Sequence, residues 1–125
     1  MASWARAARR RNPGPKEDAI VEDPRGFEIL IRADRWKRHV LKRHHGLEPF
    51  HRAVAQAIGT PDFITQSATH AGRNLYYRWL SNAPDADLPF VVAVVQMDYE
   101  RSAGDLRTAY FEAEKPEGER IIWTP

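Results

Sequence analysis

Proton transfer near neutral pH falls first to histidine. The chain has five, at positions 39, 44, 45, 51 and 70. Three of them lie in one basic stretch, RADRWKRHVLKRHH. At about 100° per residue, a helix over Arg35–His45 lines up Trp36, Val40 and His44 on one side. Arg43 and His39 fall just beside that line, while Lys37, Arg38, Lys42 and His45 spread elsewhere. His44 thus points toward whatever Trp36 and Val40 pack on. Two roles suit that place: a core-edge imidazole bonded to a backbone carbonyl, or a general acid or base flanked by arginine.

A second candidate group lies in DLRTAYFEA, over Asp105–Ala113. Strand alternation puts Leu106, Thr108 and Tyr110 on one face, with Arg107, Ala109 and Phe111 on the other. Thr108 and Tyr110 are hydroxyl donors on the same side. They describe either an ordinary half-exposed sheet face or, opposite a histidine-bearing helix, a cradle for phosphate.

Other chemistries lose their signatures. The chain has no cysteine, which excludes disulfide scaffolds, thiolate metal sites and cysteine nucleophiles. No two histidines are four residues apart and there is no HExxH, so no metal is expected. GxSxG, a Walker loop and GxGxxG are missing as well, so no nucleotide cofactor is expected.

These residues need a scaffold, and 125 residues provide for one domain. The hydrophobic share is 42%, and no apolar run is long enough for a membrane span. The N-terminal MASWARAARRRN lacks the apolar stretch of a secretory signal, so a cytoplasmic location is expected. Residues 32–52 carry seven basic and two acidic side chains, whereas residues 85–125 carry four and nine. Positive charge focused in this way suits a polyanion, although a solvated helix face has the same composition.

Residues 1–26, rich in Pro, Gly and Arg, read as a tail, with one domain over residues 27–125. Phe27–Arg32 alternates as a strand. Asp34 is placed to cap the Arg35–His45 helix, which Gly46 ends. A second helix is expected over Glu48–Ile58, with Phe50, Val54, Ala57 and Ile58 on its apolar side. Strands follow at Asp62–Ser67, Arg73–Leu80, Pro89–Gln96 and Asp105–Ala113, and Arg120–Trp123 can add a short last one. The unbroken PFVVAVVQ run marks a central strand buried on both faces. Early helices followed by a run of strands mean α+β.

The order of residues also carries a resemblance. It runs Trp36-x-x-His39-Val40-x-x-Arg43-His44, Thr60-Pro61-Asp62-Phe63-Ile64-x-x-Ser67, Arg73-x-x-Tyr76-Tyr77-Arg78, Val91–Val95, Thr108-Ala109-Tyr110-Phe111 and Ile121-Ile122-Trp123. This resembles the small phage-associated nucleases of the barnase–EndoU–colicin–RelE (BECR) superfamily, with their "HI-x-x-RHP" helix and "TAY" strand. It spans roughly residues 27–123. The chain departs from the pattern at His45, where the branch has Pro.

The resemblance implies N-terminal helices on a four- or five-stranded antiparallel sheet. It also implies metal-independent RNA cleavage on the exposed sheet face. On that reading a small ribonuclease, a toxin or phage-related effector, leaves a 2′,3′-cyclic phosphate. His44 would be base or acid with His39 second, Arg43 and Arg78 would stabilise charge, and Thr108 and Tyr110 would donate to phosphate. Tyr76 would stack on a base, with Arg38, Lys42 and Arg73 holding the RNA backbone. RNA is the expected partner, an acidic antitoxin or immunity protein a second one, and the chain is expected to be monomeric. An inactive RNA- or protein-binding relative of the same fold is the alternative.

Overall fold

The structure, a computed structural model, describes residues 17–125. It is α+β, built on one seven-stranded mixed sheet. The strands are β1 (Ala19–Glu22), β2 (Glu28–Ile31), β3 (Phe63–Gln66), β4 (Arg73–Trp79), β5 (Phe90–Asp98), β6 (Ala103–Glu112) and β7 (Arg120–Trp123). Their order across the sheet is β1-β2-β6-β5-β4-β3-β7. β2 and β6 run parallel, and every other neighbouring pair is antiparallel. The expectation of four or five antiparallel strands is therefore corrected. Among the described residues no helix is long and apolar enough to cross a membrane.

β5 lies in the middle, and Val91–Val95 are buried without a break. Its alternate residues feed two cores. Val91, Ala93, Val95 and Met97 join Ile29, Ile31, Tyr76, Leu106 and Ala109 under the helices. Val92 and Val94 join Leu75 and Tyr77 on the opposite face, with Phe63, Phe90 and Tyr110 packed against them.

The first helix, α1, is three segments run together: Ala33–Arg35, a π-turn at Trp36–Val40, and Leu41–Arg43. It starts two residues earlier than expected, at Ala33, with Arg32 rather than Asp34 at the cap position. Asp34 instead pairs with Arg38 at 2.9 Å, one turn along, and Asp18 accepts from the Ala33 N–H at 3.0 Å. In the π-turn the Leu41 N–H bonds the Trp36 carbonyl, five residues back. Trp36 and Val40 are both buried, with Leu41 packed beside them. A 3₁₀ turn, His45–Phe50, leads into α2 (His51–Gly59), which buries Val54, Ala57 and Ile58. Pro49 and Phe50 lie in that turn rather than in α2.

Two local features redirect side chains. A bulge in β6 pairs Val94 with Thr108 but Val95 with Leu106. Leu106 is thereby turned into the helix-side core, while Thr108 and Tyr110 share the other face with Val94 and Val92. The expected Leu106–Thr108–Tyr110 row is broken at that point. At Gly104 an added Cβ would stand 2.7 Å from Val95 and 2.9 Å from Ile29, which is why β6 has no side chain there.

The reading of residues 1–26 as a tail is corrected for residues 19–26. Residues 1–16 lie outside the described residues, but Ala19–Glu22 form an edge strand on β2. The turn after it is a knot of polar contacts. Asp23, with its side chain fully buried, accepts from the N–H groups of Arg25 (2.8 Å) and Phe27 (3.0 Å) and from the Tyr76 hydroxyl (2.7 Å). The Arg25 guanidinium bonds Asp23, Asn74 and Tyr76, and Asn74 in turn donates to Tyr99. Gly26 closes the turn at φ 90°, a conformation open to glycine.

Candidate active site at the helix–sheet junction

β2 covers β6 only along Ala103–Asp105. The later part of β6 is flanked instead by α1, whose π-turn packs against it. His44 ends α1: its N–H still bonds the Val40 carbonyl at 2.9 Å, but its backbone leaves the helix at φ −136°, ψ 71°. That break swings the half-buried imidazole to Tyr110, with ring centroids 6.1 Å apart and planes tilted by 42°.

The two rings have complementary proton affinities. Burial, and then the neighbouring Arg43 cation, hold the His44 imidazole below its ordinary pKa. A neutral imidazole at pH 7 is free to accept a proton. Tyr110 is pushed up to about 12, first by burial and then by the charges of Glu119 and Glu112. It remains a protonated phenol at pH 7, with an O–H to donate. A proton acceptor and a hydroxyl donor thus meet at the mouth of the sheet.

Arg38, His39, Lys42 and Arg43 are exposed on the same helix. They line one open depression of about 360 Å³. Four donor-rich side chains around an open hollow suit a phosphate-bearing ligand. Among the described residues no three His, Asp or Glu side chains converge as a metal cage would require.

Other residues singled out from sequence have different surroundings. Tyr76 is fully buried in the Asp23–Arg25 knot, so its ring offers no face to a base. Arg78 donates to the Thr60 carbonyl (2.6 Å) and hydroxyl (2.9 Å), tying β4 to the end of α2 rather than reaching the junction. Arg73 spans one rung to Gln96 at 3.3 Å. The Thr108 hydroxyl is buried and has no hydrogen-bond partner, so phosphate cannot reach it while the face above it stays closed.

Residues 113–119 close that face. β6 ends beside Phe90, whereas β7 starts beside Gln66 at the far edge, so the connection crosses the sheet diagonally. Glu119 anchors it, accepting from the Thr65 hydroxyl (2.7 Å) and the Tyr77 hydroxyl (2.6 Å). Burial and Glu119 hold the Tyr77 phenol well above its ordinary range. Lys115 stiffens the strap by bonding the carbonyls of Pro116 and Glu119. Sequence reasoning missed Glu119, for one acidic residue among several near the C-terminus carries no signal of its own. It also missed Asp23 and Arg25, although the Asp-Pro-Arg-Gly turn around them was visible.

Comparison with protein-family models, with curated proteins and with solved structures finds no match.

Proposed function

We propose that this protein is a metal-independent endoribonuclease of the BECR type, acting at the junction of α1 and β6. One observation carries the reading: His44, with its pKa lowered, packs on the phenol of Tyr110 beside an exposed cluster of Arg38, His39, Lys42 and Arg43. In the reaction, neutral His44 takes the proton of an RNA 2′-hydroxyl. The freed oxygen attacks the adjacent phosphorus, the bond to the 5′-oxygen breaks, and a 2′,3′-cyclic phosphate remains. The leaving oxygen takes up a proton, from His39 or from water. Arg43 offsets the charge that builds on the phosphorane, and the Tyr110 hydroxyl donates to a non-bridging oxygen.

The test is cleavage of labelled RNA by the full chain in EDTA, compared with His44→Ala. Loss of a general base lowers the rate by about 10²- to 10⁴-fold. Equal cleavage by both proteins would remove His44 from the chemistry.

A second reading, an inactive domain that binds RNA or a protein partner through the same basic helix, is favoured by a specific observation. Arg78 and Tyr76, two residues that the resemblance assigns to catalysis or binding, are spent on internal contacts. RNA binding with no cleavage between pH 5 and 9 would select it.

A further inference from the structure

We infer that residues 113–119 are an autoinhibitory latch: the Glu119 carboxylate is its catch, and phosphate reaches the hydroxyl-bearing sheet face only when the strap lifts. The inference rests on the ribonuclease reading above and adds to it the regulation of that site.

Hydroxyls from two rungs lie on the face that the strap closes. Thr65, Leu75, Val94 and Thr108 form one rung across β3, β4, β5 and β6; Phe63, Tyr77, Val92 and Tyr110 form the next on the same face. Thr65 and Tyr77 are fully buried, and both hydroxyls donate to the same oxygen of Glu119, its Oε1. Two hydroxyl donors converging on one anionic oxygen would serve a phosphate oxygen equally. Glu119 thus puts the chain's own anion where a substrate anion would bind.

Little else holds the strap down. Its sequence, AEKPEGE, has no large apolar side chain, and all of it except Lys115 and Glu119 is exposed. The Lys115 ammonium bonds carbonyls within the strap itself, which stiffens the segment without tying it to the sheet. Among the described residues, its hydrogen bonds to β3 and β4 are the two that Glu119 accepts. A second term opposes closure. The Thr108 hydroxyl is buried with no partner, which is unfavourable, and opening would let water or phosphate satisfy it. Closed and open forms are therefore balanced by a few polar contacts, the condition for a two-state element.

Charge works in the same direction. The strap carries Glu114, Glu117 and Glu119 against Lys115 alone, so in the closed form it sets carboxylates over the face and repels phosphate. The charge of Glu119, second to burial, raises the Tyr110 phenol, which places the catch close enough to act on the junction. The basic depression on α1 lies outside the strap and stays open in both forms.

The test compares RNA cleavage by full-length wild type, Glu119→Ala and the double variant Ala68→Cys/Gly118→Cys, well below their melting temperatures. The chain has no cysteine of its own, and a Cβ at Gly118 would stand 3.6 Å from that of Ala68, within the span of a disulfide. Oxidation bolts the strap beside the end of β3, and reduction releases it. Gly118 lies at φ 90°, so cysteine strains the turn, but it does so in both redox forms. Loss of the two hydroxyl bonds should make Glu119→Ala faster by about 5- to 100-fold, as the open form gains population. A carboxylate that only held the fold together would lower activity on removal instead. The oxidised double variant should be slower than the same protein reduced by about tenfold or more, since a minor open form is no longer reached. A wild-type protein that cuts RNA, with no gain in Glu119→Ala or no loss on oxidation, would overturn the latch and leave the ribonuclease reading standing. RNA left uncut by every form would overturn both.

Discussion

Asp23→Ala tests whether the turn between β1 and β2 belongs to the folded core. The carboxylate accepts from two backbone N–H groups, from the Arg25 guanidinium and from the buried Tyr76 hydroxyl. Alanine leaves all of these donors without their acceptor. Removing one member of a buried ion pair costs about 3–5 kcal/mol, because its partner's charge stays behind. Here the Arg25 side chain retains 19% exposure, so water can reach part of the guanidinium. The cost is therefore set at the lower end, about 3 kcal/mol. For a domain of ordinary stability, about 5–15 kcal/mol, that is a large fraction. Urea unfolding followed by tryptophan fluorescence should show the midpoint falling by about 1–3 M, at a typical slope for small proteins. Asp23→Asn, which keeps an acceptor oxygen, should lose less than Asp23→Ala. A change under about 0.5 kcal/mol, the scale of an ordinary surface substitution, would refute the anchoring of residues 19–26.

Three further outcomes are expected. His44 and His51 both have pKa values lowered by burial first and by a neighbouring arginine second, so the unfolded chain binds more protons than the folded one. Their contribution to stability is present above about pH 6.5, is lost as pH falls through the lowered folded-state values, and should shrink in His44→Ala when melting is followed across pH 5 to 8. Glu119→Ala removes two hydroxyl contacts and should cost about 2 kcal/mol in denaturant unfolding, with faster amide exchange confined to residues 113–119 and the strands beneath. Trp79→Ala should unfold within about 0.5 kcal/mol of wild type in denaturant, because its exposed side chain leaves no buried cavity.

Much of this architecture is legible in the sequence because the period of apolar residues is strong where burial is complete. PFVVAVVQ places β5 at the centre, and Val54, Ala57 and Ile58 give the face of α2. β1 escaped because only Val21 of its four residues is even partly buried, so its pattern does not alternate. Its place depends on Asp23, a long-range polar anchor that periodicity does not report. The β6 bulge and the π-turn each shift register by one residue, and neither leaves a compositional mark. Of the candidate site, His44 and Tyr110 were legible from helix and strand spacing, and they do meet. Tyr76 and Arg78 were misplaced for a common reason. An aromatic or arginine side chain within a strand is as well suited to bonding its own fold as to binding a ligand, and only tertiary contacts separate the two.

Cleavage of labelled single-stranded RNA in EDTA, by wild type and His44→Ala matched in melting temperature, bears most directly on the proposed chemistry. The account predicts a wild-type product ending in a 2′,3′-cyclic phosphate and a rate lower by about 10²- to 10⁴-fold in the variant. RNA affinity should be nearly the same in both, because the cations of α1 are untouched. A variant that cuts as fast as wild type, or a wild-type protein that leaves RNA intact from pH 5 to 9, would contradict it.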